Sequence, residues 1–119
     1  MTGANYDGGI GQNINQESHG GSFYCAIASL KLLGRLDAIA DIDKTVNWAL
    51  DLQKSGFCGR TNKVEDTCYT FWVGAGVTML GFSGYIDKNQ LVKFVFKCIG
   101  STGGVSKTPN SYPGNVTFN

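Results

Sequence analysis

Gly9, Gly56 and Gly104 stand 47 and 48 residues apart, and each is followed by an apolar residue: Ile10, Phe57 and Val105. Other glycines gather around them, in DGGIGQ at 7–12, SGFCGR at 55–60 and GSTGG at 100–104. An interval of that size marks an array in which one supersecondary unit recurs and buries its apolar face on its neighbour. Between the clusters the apolar period is helical. Phe23, Ile27 and Leu30 precede a stop at Gly34, and Ile42, Val46, Ala49, Leu50 and Gln53 precede Gly56. Ser22, and Asp41 or Asp43, stand where caps are wanted. The second unit predicts a helix from about Thr67 to Leu80, stopped at Gly81. Another should carry Leu91, Phe94, Val95, Cys98 and Ile99 on one face.

The expected fold is therefore all-α. It is built from αα-hairpin repeats over about 7–54 and 55–101, with a third repeat begun at 102–119. Stacked repeats bury each other's faces and about three are normally needed, so the 119 residues read as a piece of something larger. Charged residues make up only 16%, against an average of about 25%, which suggests surface that other protein covers. A net charge of +1 excludes a charge-steered binder of nucleic acid or anionic membrane. The apolar runs fall short of a membrane span, and residues 1–10 lack the pattern of a signal peptide, so a cytoplasmic, reducing setting is expected. Cys25, Cys58, Cys68 and Cys98 form no CxxC pair, which argues against a zinc ribbon.

In an array of hairpins, the loops before helices one and three and the loop after helix four lie at one end. Those loops hold Glu17, His19, Cys58, Arg60, Lys63, Asp66, Cys68, Tyr69 and Lys107. Asp66 and Cys68 sit two apart at a helix start, where the dipole favours anions and should lower a thiol's pKa. Carboxylate and thiolate together suit zinc. Arg60 and Lys63 in GRTNK, with His19 and Lys107, can converge on a phosphate. Phe23, Tyr24, Tyr69, Phe71 and Trp72 offer an aromatic wall for a lipid-like ligand. Each feature alone has an ordinary reading as cap, surface charge or packing. Their combination points to chemistry on an allylic or alkyl diphosphate.

The segments DGGIGQ, QESHGGSFYCAIASL and FCGRTNKVEDTCYTFWVGA resemble the β subunits of the protein prenyltransferases, over about Tyr6 to Pro113. DTCY and FWVGA look more like the type I geranylgeranyl branch than the farnesyl branch. The resemblance implies part of an α-α toroid, paired with a separate α subunit, that transfers geranylgeranyl from geranylgeranyl diphosphate to the cysteine of C-terminal CaaX proteins. By resemblance, His19, Arg60, Lys63 and Tyr69 bind the diphosphate. Gly20, Gly21, Thr61, Asn62 and Trp72 then shape the lipid site, with Thr70 and Phe71 in the same segment. Asp66 and Cys68 match two zinc ligands, the zinc holding the substrate sulfur as a thiolate. Lys107 matches a lysine standing where the farnesyl branch uses a magnesium-binding carboxylate, so magnesium is not expected to be required. One departure matters. Thr117 stands where the pattern places a zinc-binding histidine, and His19 is the chain's only histidine. Zinc binding by this polypeptide is therefore expected to be weak or absent. The alternative reading is a noncatalytic module that binds isoprenoid diphosphate or the α subunit.

Overall fold

A computed structural model describes residues 3–101 and 103–109. Four α-helices follow one another: α1 (Gly20–Leu32), α2 (Ile42–Leu50), α3 (Cys68–Met79) and α4 (Lys88–Lys97). Short 3₁₀ turns, Leu36–Ala38 and Ser83–Tyr85, lie in the tight connections between α1 and α2 and between α3 and α4. Among the described residues the extended pairings are isolated bridges. No helix there is long and apolar enough to cross a membrane.

The glycine repeat has a structural meaning. Ile10, Phe57 and Val105 each enter an antiparallel bridge, with Ala4, Gln53 and Ile99 respectively. The carbonyl of each preceding glycine accepts a backbone hydrogen bond, from Asn5 at 2.9 Å, Lys54 at 2.8 Å and Gly100 at 3.0 Å. At Gly104 the backbone stands at φ +79°, and at Gly9 and Gly56 an aromatic ring from the hairpin's second helix lies against the backbone. A Cβ on Gly9 would stand 2.5 Å from Cε2 of Trp48 on α2, and one on Gly56 would strike the Phe94 ring on α4. Trp48 and Phe94 are themselves buried.

The helices divide by composition. Lys31 is the single charged residue in α1 and α3 taken together, GGSFYCAIASLKL and CYTFWVGAGVTM. Such sequences are stable only when packed nearly all round. They pack on each other with their N-termini together: a Cβ on Gly20 would meet Val73 and Tyr69, and the Phe23 ring lies over Gly76. Phe23, Ile27, Phe57, Val73 and Val77 are fully buried at this contact and beside it. α2 and α4 are amphipathic outer helices, capped by Asp41 and Asp87 through the N–H groups of Lys44 and Gln90, each at 3.1 Å. Gly34 and Gly81 follow the inner helices at φ +66° and +89°, the left-handed turn expected of helix stops.

Three local expectations are corrected. Ser22 does not cap α1; His19 does, three residues earlier, because its ring nitrogen reaches the N–H of Gly21. Gln53 does not continue the face of α2. The helix ends at Leu50, and the Gln53 amide instead makes a two-way bond with the backbone of Asp87, at 2.8 and 3.0 Å, that ties one hairpin to the next. Ile99 falls beyond the end of α4 and is 46% exposed, so the inward face is carried by Phe94 and Cys98.

The aromatic contact on the repeated glycine makes a direct prediction. Gly56→Ala should cost about 1–3 kcal/mol by forcing the Phe94 ring out of place. Gly84→Ala, where a Cβ meets nothing within 4 Å, should stay within about 0.5 kcal/mol. Urea unfolding of the two variants beside the unsubstituted chain checks both.

Candidate functional site

The starts of α1 and α3 are built alike. The N–H of His19 donates to Ile10 O at 3.0 Å and that of Asp66 to Phe57 O at 3.1 Å, the carbonyls that follow the repeated glycines. Each side chain then caps its helix two residues on: His19 Nδ1 accepts from Gly21 N at 3.0 Å, and Asp66 Oδ1 accepts from Cys68 N at 3.0 Å. The next N–H of each helix is held by the loop of the following repeat, Gly20 N to Gly59 O at 2.7 Å and Thr67 N to Lys107 O at 2.8 Å. These bonds satisfy donors that helix starts leave orphaned. They also deliver Arg60 and Lys63 to α1, and Lys107 to α3. Thr67 was legible only as a helix start, yet its hydroxyl donates to Ser106 O at 2.9 Å and pins the third loop as well. The repeat register, which sets Thr67 opposite Gly20, was the available signal.

A groove of about 460 Å³ results, lined by His19, Arg60, Lys63, Asp66, Tyr69 and Lys107 among others. His19 Nε2 and the Tyr69 hydroxyl are 2.9 Å apart, with the rings edge-on. Because Nδ1 is occupied as an acceptor by the Gly21 N–H, the neutral ring carries its proton on Nε2 and donates it to Tyr69 Oη. The Tyr69 proton is then free to point at a ligand. Burial first, and then the neighbouring Cys68 and the Asp66 carboxylate, push the Tyr69 phenol up, against the opposing pull of Arg60, so it stays protonated at neutral pH. Burial and Arg60 hold His19 below its ordinary value, against the opposing effect of Glu17. Arg60 Nη1 meets Glu17 Oε1 at 2.7 Å at the groove's rim.

Cys68 overturns one expectation. Its thiol is pushed up to about 12, first by burial and then by the hydrogen bond and charge of Asp66, which outweigh the helix start. Without a bound cation the group is a thiol. Among the described residues no three His, Cys, Asp or Glu side chains form a group able to hold a metal ion. Asp66 and Cys68 are two donors where a catalytic zinc takes three, so the described residues do not fit a complete zinc site. Thr117 lies outside the described residues.

The remaining candidates separate. Tyr24, Phe71 and Trp72 form one aromatic cluster, with ring centroids 4.8–5.1 Å apart. Thr70 and Phe71 face an apolar groove of about 580 Å³ between α3 and α4, with Gly74, Leu91 and Val95. Gly20 is buried in the α1–α3 contact, and Gly21 lies beside the His19 ring. Thr61 and Asn62 are not brought to the His19–Tyr69 groove. They line a different one, with Asp41, Trp48 and Asp51 along α2, because the 59–63 turn swings their side chains outward, Asn62 at φ +66°.

The His19 geometry gives a pH prediction. A His whose folded pKa is lowered contributes stability that is complete above its ordinary value of 6.5 and is lost as pH falls through the lowered value. Stability measured by urea unfolding should therefore drop below about pH 6.5. In His19→Asn, which keeps a capping oxygen without a titrating ring, that acid loss should be smaller.

Comparison with known proteins accords with this geometry. The prenyltransferase alpha-alpha toroid domain family matches residues 1–116. The geranylgeranyl transferase type-1 β subunit of Arabidopsis thaliana is 45% identical over 120 residues, covering 91% of this chain and 32% of the relative. Its counterpart in Dictyostelium discoideum is 46% identical over 116 residues, covering 91% and 31%. The solved structure of Candida albicans protein geranylgeranyltransferase-I complexed with GGPP superposes with a TM-score of 0.85 at 30% identity, over 93% of this chain and 36% of that one. The chain thus spans about a third of the length of the relatives it matches. It belongs to the prenyltransferase alpha-alpha toroid family, in which geranylgeranyl transferase type-1 β subunits are among its similar relatives.

Proposed function

We propose that this chain supplies the diphosphate-binding wall of a protein geranylgeranyltransferase type I β subunit, with its repeats at about 7–54 and 55–101. The observation that carries the reading is the convergence of three successive loops on one groove, which His19, Arg60, Lys63, Tyr69 and Lys107 line together. Paired with an α subunit in the cytoplasm, it would bind geranylgeranyl diphosphate with its headgroup in this groove. The Tyr24–Phe71–Trp72 cluster would then lie against the lipid. The thiolate sulfur of a CaaX cysteine, its proton already lost to solvent, attacks C1 of the isoprenoid as the C1–O bond breaks, and the negative charge that develops on the leaving diphosphate is met by fixed cations and a hydroxyl proton. Lys107 supplies a positive charge at the headgroup, so added magnesium should not be required. Asp66 and Cys68 are the zinc donors this stretch contributes, one short of a full set.

Among the described residues that shortfall favours a second reading, in which the chain binds isoprenoid diphosphate or the α subunit without turnover. Coexpression with an α subunit decides between them. Zinc content by elemental analysis is expected to be well below one per chain. Transfer of labelled geranylgeranyl to a peptide ending in Cys-a-a-Leu would require the missing donor to come from elsewhere. In any assembly that does transfer, Lys107→Ala should lower the rate about tenfold or more, about 1.4 kcal/mol of transition-state stabilisation. An unchanged rate would remove Lys107 from the site.

A further inference from the structure

We infer that Glu17 is a positioning residue that holds the Arg60 guanidinium at the rim of the diphosphate groove from outside, an inference that rests on the reading of that groove given above. Glu17 and Arg60 are 43 residues apart in sequence, and their side chains meet at 2.7 Å, Nη1 to Oε1. Arg60 lines the groove that holds Lys63, Tyr69 and Lys107. Glu17 does not line that groove; it shares a neighbouring one with Gln12, Gln16, Ser22, His19 and Arg60. His19 and Arg60 are common to both, so the two side chains form the ridge between them.

This placement decides the sign of the effect. A carboxylate inside an anion site would repel the ligand, but Glu17 stands behind the guanidinium. It engages Nη1 alone, and a guanidinium has five N–H donors, so Nε and Nη2 remain for phosphate oxygens. Arg60 is 42% exposed at its side chain and sits in a turn beside Gly59, so in the absence of Glu17 it would sample many rotamers. Ordering it before the ligand arrives lowers the cost of binding.

The test is equilibrium binding of geranylgeranyl diphosphate, and of geranylgeraniol as the uncharged comparison, to the full chain at fixed ionic strength. Glu17→Ala should weaken diphosphate binding about two- to fivefold, the range of an exposed ion pair, while leaving the alcohol unaffected. Glu17→Gln, which keeps an acceptor at the same place, should bind within about twofold of the unsubstituted chain. In an Arg60→Ala background Glu17→Ala should have no further effect, because a contact that acts through Arg60 vanishes with it. Equal or tighter binding by Glu17→Ala overturns the inference, as does a loss that persists without Arg60 or extends to the alcohol. Failure of the unsubstituted chain to bind the diphosphate overturns the reading of the groove and this inference with it. Binding that is intact and indifferent to Glu17 overturns this inference alone.

Discussion

The helix-start hydrogen bonds from Gly20 to Gly59 O and from Thr67 to Lys107 O organise everything at the functional end of this chain. A helix leaves its first N–H groups without intrahelical partners, and burying them unpaired is costly. Here each inner helix satisfies one of them with a carbonyl of the following repeat. The outcome is structural and chemical at once: the loop that closes the helix start is the loop that carries the cations. A bond made for backbone reasons therefore sets where Arg60, Lys63 and Lys107 stand relative to Tyr69.

A second constraint operates at the other side of each loop. The bridge after the repeated glycine fixes where the loop begins, and in the first two loops the aromatic ring of the outer helix presses on that glycine. Trp48 and Phe94 thus do for the outer wall what Phe23 on Gly76 does for the inner one. Large-on-glycine contacts at both walls let layers approach closely, and interiors at native packing density tolerate little change there. The loop is clamped between its bridge and its helix-start bond, so a segment without regular secondary structure can present side chains in a defined arrangement.

Within the site, equivalent positions in successive repeats carry different residues and take different roles. His19 and Asp66 occupy equivalent backbone positions and both cap by accepting an N–H two residues ahead. A carboxylate at that place raises the pKa of the neighbouring Cys68 thiol. An imidazole there has a second nitrogen left over, and it reaches Tyr69 across the interface between α1 and α3. One capping geometry thereby sets a carboxylate beside a thiol in one repeat and an imidazole beside a phenol in the other.

Much of this was legible in the residues. The glycine interval, the helical period and the stops at Gly34 and Gly81 specify the hairpins, because backbone sterics and burial act on local sequence. The segments around His19, Arg60, Asp66 and Tyr69 pointed to residues that the fold brings to one groove. Other features depended on neighbours distant in sequence. That His19 rather than Ser22 caps α1, that Gln53 ties two hairpins, that Thr61 and Asn62 turn away, and that Glu17 holds Arg60 are all decided by which loop lies beside which helix. The state of Cys68 is the clearest case. From the sequence its place at a helix start argued for a lowered pKa, but burial and the Asp66 carboxylate dominate. Desolvation depends on how much protein surrounds a group, and only the assembled layers of α1 and α3 determine that.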